Sequence, residues 1–361
     1  MKIETDASFY KTDGENYIRS SSLKTFQSCS WLYYQDYVNK VPQINNKGAM
    51  CGNVCHSVFE CLLNTRHINT YKKIIKSKSI ANIPSTNRLI KKLIRKNNLP
   101  ETEEIFNKIV DMIWVGLNTD FYVKGGKIIG KEYRFKIKSK SPKYSIYGTI
   151  DKIAIKDDYI IIHDFKSSKL QYSGEDLQSN TQALMYSLAA SKLWPKYKNK
   201  VIFIFLQYPE NPIQELEFDK NTLLGFEYFL EHVQKQIDSF TEQDAKNNFA
   251  VDKRIPKDGG FGGKIQCGFA KYPGQLKKNG ELMWACSFKF KRDYYVLIKD
   301  GQIIKSAHTK EELIPKDGEL VEIRNYLGCP KFFNALDVIN TENKTKITSK
   351  RLDNKNILDD W

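Results

Sequence analysis

The sequence predicts an α/β fold: a mixed central β-sheet flanked by helices, with a basic helical insertion and a small β-containing C-terminal extension. Three observations lead there. Helical periodicity holds to about residue 118 and gives way near residue 127 to strand periodicity. Three strand-like segments then follow one another with only short turns between them. A helical segment and a further buried-looking strand come next, the order expected where a crossover helix returns the chain to a sheet.

Taken in order, Ser20-Ser21-Ser22 supplies N-cap residues for a helix carrying Leu23, Phe26, Tyr33, Tyr34 and Tyr37, with Pro42 beyond its end. A second helix is expected from about Gly48 to Leu63. The basic insertion follows, in which Leu89, Ile90, Leu93 and Ile94 give one short amphipathic helix. Ile105, Ile109, Met112 and Ile113 mark another over residues 101–118. Residues 127–138, 144–155 and 159–166 read as strands, the last two joined at Asp157-Asp158. Residues 177–193 are helical in pattern, 200–208 form a buried strand, and a long helix covers about 220–243. Residues 251–293, rich in Gly and Lys, read as loop; 294–305 read as a hairpin turning at Asp300-Gly301, and the tail beyond about 338 is polar. The expected division is residues 1–250, with the insertion at about 64–120, and an extension over 251–361.

Hydrophobic residues make up 41% of the chain and aromatic residues 12%, a composition that excludes a disordered polymer. No apolar stretch is long enough to cross a bilayer and no apolar leader opens the chain. No membrane partner is expected, and the expected location is the cytoplasm, or the host cytoplasm for a viral chain. The seven cysteines form no disulfide-like framework, which fits reduced thiols. The net charge of +15 favours polyanions, nucleic acid ahead of an anionic membrane. Its distribution is one-sided. From Cys61 to Pro100 there is no Asp or Glu, while Arg66, Lys72, Lys73, Lys76, Lys78, Arg88, Lys91, Lys92, Arg95 and Lys96 fall in the same stretch. Such a run suits a surface that tracks phosphates, although a merely solvated lysine-rich insertion would look alike.

The segments Gly148-Thr149-Ile150-Asp151 and His163-Asp164-Phe165-Lys166 put two aspartates on adjacent predicted strands, each near the end of an apolar run. A buried carboxylate is costly unless it is paired or bound to metal. Two of them on adjoining strands can converge on one hard cation. Lys166, two residues beyond Asp164, leaves the same face of its strand. An ammonium there can stabilise charge developing at phosphorus or orient an attacking water. An exposed strand edge would carry the same tripeptide, so the pattern gains weight only from its neighbours.

Those neighbours make the chain resemble the RecB-like branch of the PD-(D/E)XK nuclease superfamily, which includes phage and CRISPR-adaptation exonucleases. Ser21-Ser22-Leu23-Lys24-Thr25-Phe26-Gln27-Ser28-Cys29, continuing to Tyr33-Tyr34-Gln35-Asp36-Tyr37, is similar to the family's S-x-L-x-x-F-x-x-C-P-x-x-Y-x-x-Y opening, with Ser30 in place of the proline. Gly52-Asn53-Val54-Cys55-His56 resembles its G-x-x-x-H helix, with Glu60 one turn on. Glu132 lies where the family often carries an acidic strand residue. Asp151 matches G-x-x-D, Asp164-Phe165-Lys166 matches (D/E)-x-K, and Gln182-Ala183-Leu184-Met185-Tyr186 matches Q-x-x-x-Y, all in the family's order over roughly residues 20–210.

The resemblance implies a restriction-endonuclease-like core and a metal-dependent DNA nuclease. An exonuclease of recombination, repair or replication is the leading reading. A non-catalytic nucleic-acid-binding module and a defence endonuclease are the rivals. It further implies Mg²⁺ or Mn²⁺ held by His56, Asp151, Asp164 and the carbonyl of Phe165. Lys166 would activate the water, Gln182 and Tyr186 would brace the site, and Glu60 and Glu132 are additional acidic candidates. Single-stranded DNA or duplex ends are the implied substrate, with Lys72, Lys73, Lys76, Lys78, Arg88, Lys91, Lys92, Arg95 and Lys96 of the insertion as candidate contacts. A separate helicase or recombination protein is an implied partner, since the chain has no P-loop motif. Trp114, Phe261 and Trp284 are candidate base-stacking residues, and the loop around Lys253–Lys278 a candidate strand guide. Some relatives hold an iron–sulphur cluster through one early cysteine and a later C-x₂-C-x₅-C. Here Cys29 fits the first position, but counting from Cys286 the later ones hold Lys289 and Tyr295. The cluster is therefore expected to be absent, with Cys29, Cys267 and Cys286 offering at most a three-thiol zinc site.

Overall fold

In the computed structural model, residues 16–44, 47–249 and 267–332 are described. Phe261, Lys253 and the tail beyond residue 338 lie outside them. The chain forms two compact units. One comprises residues 1–21 and 45–239, the other 22–44 and 240–361.

The helices are α1 (Ser20–Ser28), α2 (Ser30–Tyr33), α3 (Lys47–Leu62), α4 (Ile68–Ser77), α5 (Pro84–Lys96), α6 (Glu103–Asn118), α7 (Glu175–Gln178), α8 (Thr181–Leu193), α9 (Lys220–Asp238) and α10 (Glu242–Asn247). The strands are β1 (Lys127–Lys140), β2 (Lys143–Lys156), β3 (Tyr159–Lys166), β4 (Lys198–Phe205), β5 (Ile213–Leu216), β6 (Arg292–Lys299), β7 (Gln302–Ala307) and β8 (Glu319–Tyr326).

The first unit is built on a five-stranded sheet in the order β1-β2-β3-β4-β5. β1, β2 and β3 run as an antiparallel meander, β4 lies parallel to β3, and β5 closes the edge antiparallel. The parallel step demands a crossover, and α8 supplies it. Asn180 starts this helix by accepting the N–H of Ala183 at 3.1 Å. α8 packs on β2 and β4, and α9 on β2. This is the mixed α/β sheet with flanking helices that the sequence predicts, and it is consistent with a restriction-endonuclease-like core.

A core cluster draws Val54, Val58 and Phe59 of α3 together with Ile74, Ile90, Ile94, Ile109 and Ile113 of α4, α5 and α6, and with Phe165, Ile204 and Leu206 at the sheet. Cys51 and Cys55 belong to the same cluster. Their spacing puts both on the buried face of α3, and they are packing residues. The insertion holds two amphipathic helices rather than one. α4 escapes a periodicity reading because Ile74 is its only fully buried residue. β5 and β8 were not expected from sequence either, being a short edge strand and a largely exposed one.

In the second unit, β7-β6-β8 form an antiparallel sheet, and the β6–β7 hairpin turns at Asp300 and Gly301, both at positive φ, as expected. Trp31 and Val41 join Ala245, Phe288, Val296 and Tyr326 in its core. Trp31 Nε1 donates to the Tyr326 hydroxyl at 2.8 Å, and that hydroxyl donates to the Phe288 carbonyl at 2.6 Å. Cys29, Cys267, Cys286 and Cys329 line one cavity of this unit. This corrects the count of thiols at one place from three to four. Cys329 lies too far along the chain for any short spacing rule to include it.

Candidate active site

Three carboxylates occupy a row of positions across the first three strands. Glu132 on β1 faces Asp151 on β2, between the Lys131–Lys152 and Tyr133–Ile150 partners. Asp164 on β3 comes one step beyond Lys152–His163, the last pair of the β2–β3 ladder. There the ladder opens, and the Asp151 carboxylate accepts the N–H of Phe165 at 2.7 Å. A side chain thus serves a donor that the neighbouring strand no longer reaches.

His56 is brought to this row by α3. Gly52 lies one turn earlier in that helix, and a Cβ there would stand 2.4 Å from Ser167 Oγ. A glycine there lets α3 lie against the end of β3 without turning the Ser167 hydroxyl aside. His56 Nδ1 then sits 3.4 Å from an Asp151 oxygen. Ligating atoms of His56, Glu132 and Asp151 all lie within 4.8 Å of one another. Glu132 holds a φ of 44°, which a non-glycine residue adopts only where its surroundings impose it.

Asp164 is 4% exposed and is served from α8 and from its own strand. Lys166 Nζ stands 2.6 Å from one of its oxygens. The Gln182 amide donates to the other oxygen at 2.8 Å, while its carbonyl accepts from Lys166 at 2.5 Å. The same amide donates to the Tyr186 hydroxyl at 2.8 Å, and that hydroxyl donates to the Thr149 carbonyl at 2.6 Å. Gln182 and Tyr186, four apart on α8, thus fix the carboxylate and the ammonium together.

The electrostatics follow from crowding in a half-buried place. Burial raises the Glu132 carboxyl, and the charge of Asp151 raises it further, to about 7. Burial opposes protonation of His56, but the hydrogen bond and charge of Asp151 outweigh it and push the imidazole up to about 9. Burial likewise raises Asp164, against the pull of Lys166. Lys166 is held protonated: burial works against its charge, and Asp164 more than offsets it. Tyr186 is raised well above the ordinary phenol range by burial and by Asp164, and stays a neutral donor.

The remaining sequence candidates fall as follows. Glu60 is exposed, close enough to Glu132 to raise it. Arg66, Lys72, Lys73, Lys76, Lys78, Arg88, Lys91, Lys92, Arg95 and Lys96 are all exposed. Arg95 faces Glu101 at 3.4 Å. Trp114 packs partly buried against the core, whereas Trp284 of the second unit is 48% exposed. One buried cation was not foreseen. Lys152, fully enclosed, donates to the Phe121 carbonyl at 3.0 Å, and burial lowers its ammonium to about 7. It alternates with Asp151 on β2 and follows the buried Ile150 by two residues on the same face.

The mixed sheet gathers two carboxylates and a histidine closely enough to hold a metal ion, beside a carboxylate–lysine pair. The family model of the PD-(D/E)XK nuclease superfamily matches residues 20–252. The chain belongs to that superfamily of metal-dependent nucleic-acid hydrolases. No curated protein sequence matches it. Among the described residues no helix is long and apolar enough to cross a membrane.

Proposed function

We infer that the chain is a divalent-metal-dependent deoxyribonuclease, an exonuclease that processes DNA ends in recombination, repair or replication. The observation that carries this is the row Glu132–Asp151–Asp164 completed by His56 and Lys166. His56, Asp151, Asp164, the Phe165 carbonyl and, added to the expected set, Glu132 would hold Mg²⁺ or Mn²⁺. When bound, the cation supplies Lewis-acid stabilisation of charge at the scissile phosphate. Lys166 orients the attacking water and offers a positive charge to the phosphate. Gln182 and Tyr186 hold Lys166 and Asp164 in register. The exposed cations of α4 and α5 would take the DNA backbone. Preference for DNA and for ends rests on the likeness to RecB-like exonucleases.

The test uses end-labelled linear and closed circular DNA with Mg²⁺ or Mn²⁺, for wild type and Lys166→Ala. Metal-dependent loss of linear DNA, with circles spared and the variant inert, is the expected result. Cut circles would favour the endonuclease reading. No cleavage of any DNA or RNA form would leave a binding module.

A further inference from the structure

β1 and β2 continue beyond the carboxylate row as a two-stranded hairpin whose faces differ in kind. Their antiparallel register pairs Phe135 with Gly148, Ile137 with Ile146 and Ser139 with Tyr144. Phe135, Ile137, Tyr144 and Ile146 are buried, and the Tyr144 hydroxyl donates to Glu227 of α9 at 2.6 Å. The alternate pairs are Arg134–Thr149, Lys136–Tyr147, Lys138–Ser145 and Lys140–Lys143. Side chains alternate between the faces of a strand, so these occupy the other side. Arg134 and Lys136 are half-buried there, and Lys138, Lys140 and Lys143 are exposed.

A short edge segment completes this face. Ile18 makes a parallel bridge to Ile146, donating its N–H to the Ser145 carbonyl at 2.8 Å and accepting that of Tyr147 at 3.0 Å. Ile18 is buried, and its neighbours Tyr17 and Arg19 leave the segment on the opposite side. Lys136 and Lys138 stand over the Tyr17 ring at 5.1 and 5.6 Å, and Arg19 stands over the Tyr147 ring at 4.7 Å. Cations and phenol rings are thus interleaved on one surface.

Neither the charge nor the spacing is that of an ordinary solvated strand. From Tyr133 to Ile150 the chain has no Asp or Glu, while it carries Arg134, Lys136, Lys138, Lys140 and Lys143. A solvated face usually mixes signs. Cations on every second residue of an antiparallel strand stand about 6.8 Å apart, close to the separation of successive phosphates along one nucleic-acid strand. The row from Arg134 to Lys140 is about 20 Å long. Its inner end lies at the candidate active site. Arg134 is two residues from Glu132, close enough for its charge to temper the rise that burial imposes on that carboxyl. A straight row of phosphate partners with rings beside it suits a single strand, whose base faces are open to stacking. A duplex hides those faces and winds away from a straight row.

We propose that this face is the track along which single-stranded DNA reaches the carboxylate row. Arg134, Lys136, Lys138 and Lys140 hold its backbone, and Tyr17 and Tyr147 stack on its bases. The identity of the polymer rests on the deoxyribonuclease reading. The cations of α4 and α5 belong to other elements and are left intact in the test.

Binding is measured in chelator, so that cleavage plays no part. Fluorescence anisotropy follows an oligothymidylate and a blunt duplex of equal length across a salt series. The full chain is compared with its Lys136→Gln/Lys138→Gln/Lys140→Gln variant. For the single strand, the variant's slope of log affinity against log salt should be shallower by about 2, from three contacts at about 0.7 each. Arginine at the same three positions should restore the slope, and the duplex slope should change little. In the wild type, an iodouracil-containing oligonucleotide should crosslink under ultraviolet light to Tyr17 or Tyr147, as located by mass spectrometry. An unchanged single-strand slope, an equal loss for the duplex, or crosslinks confined to other parts of the chain would overturn the proposal. The crosslinking decides even if the variant fails to fold. A shallower slope in the variant, with no cleavage by wild type in Mg²⁺ or Mn²⁺, would remove the nuclease reading and leave the track standing. Cleavage by wild type with an unchanged slope would do the reverse.

Discussion

Glu132→Gln offers the sharpest probe of the carboxylate row, because it should act in opposite directions with and without metal. In the metal-free protein the Glu132 carboxyl is raised from 4.5 to about 7 by burial and by Asp151, against the attraction of His56. Each tenfold rise in proton affinity is worth about 1.4 kcal/mol, so the ionised group costs the fold at most about 3 kcal/mol. Glu132 is only half buried, and solvent screening reduces this to about 1–2 kcal/mol. Between 4.5 and about 7 the folded state binds more protons than the unfolded one, so this contribution falls as pH rises and the cost is complete above about 7. Glutamine keeps the side-chain shape and the left-handed backbone, and removes only the charge. Urea denaturation at pH 8 with chelator should therefore find Glu132→Gln more stable than wild type by about 1–2 kcal/mol, a gain that shrinks towards zero near pH 5. With Mn²⁺ at about a hundredfold its dissociation constant, wild type should gain about 2.7 kcal/mol. The variant should gain at least about 1 kcal/mol less, as expected if loss of one ligand weakens binding about tenfold. A variant that is less stable without metal at pH 8, or that keeps the full metal-induced gain, would refute the argument that Glu132 is tolerated at a cost for the sake of the cation.

Three further predictions concern the groups around that row. Lys166→Met strands the buried Asp164 carboxylate and should destabilise the metal-free protein by about 3–5 kcal/mol, most of it recovered in the Asp164→Asn/Lys166→Met double variant; additive losses in a denaturation cycle would deny the coupling. Lys152→Met should raise stability at pH 7 by a few kcal/mol, on the order of 1–4. Lys152 falls from 10.5 to about 7 on folding, so wild-type stability should rise with pH across that window and the advantage of methionine should fade towards pH 10, as melts across the pH range would reveal. Changing Lys91, Lys92, Arg95 and Lys96 together to Gln should weaken DNA binding irrespective of sequence and reduce the slope of log affinity against log salt by about 2–3, given about 0.9 per phosphate contact; an unchanged slope would place the DNA elsewhere.

What the sequence reveals and what it conceals divide along a physical line. β2, β3 and β4 are legible because a sheet covered on both faces writes apolar runs into the chain, and α8 because its neighbours require a crossover. Asp164, Lys166, Gln182 and Tyr186 are legible as candidates because their spacings, two along a strand and four along a helix, are local and put each pair on one face. The partnership of Glu132 with Asp151 is not, since it depends on the register between two fourteen-residue strands. Nor is the burial of Lys152, whose ammonium sits over the rings of Phe121 and Phe165, residues distant from it in the sequence. Cys329 is the extreme case. Its nearest partner in the chain is Cys286, and only the pairing of β6 with β8 brings that part of the chain back. Local spacing rules detect ligands on one turn or one strand, and they miss a site assembled from separate segments.

The resting charge state of the carboxylate row also bears on how it would take up a cation. Two acidic groups and an imidazole lie within 4.8 Å of one another, so the charge of Asp151 raises the proton affinity of both Glu132 and His56. His56 stays protonated up to about 9, and Glu132 is raised to about 7. A cation held by this row would displace the imidazole proton and, below about pH 7, a second proton from Glu132, so its affinity would fall as the medium becomes acidic. Asp164 is placed differently. Lys166 pairs with its carboxylate and Gln182 fixes it, which offsets part of the rise that burial imposes. The row thus sets Asp164 against a lysine and Asp151 against His56, while Glu132 has its own proton affinity raised. That asymmetry explains why a DxK tripeptide alone, without the histidine and the opposing strand acid, is too common to define a metal site.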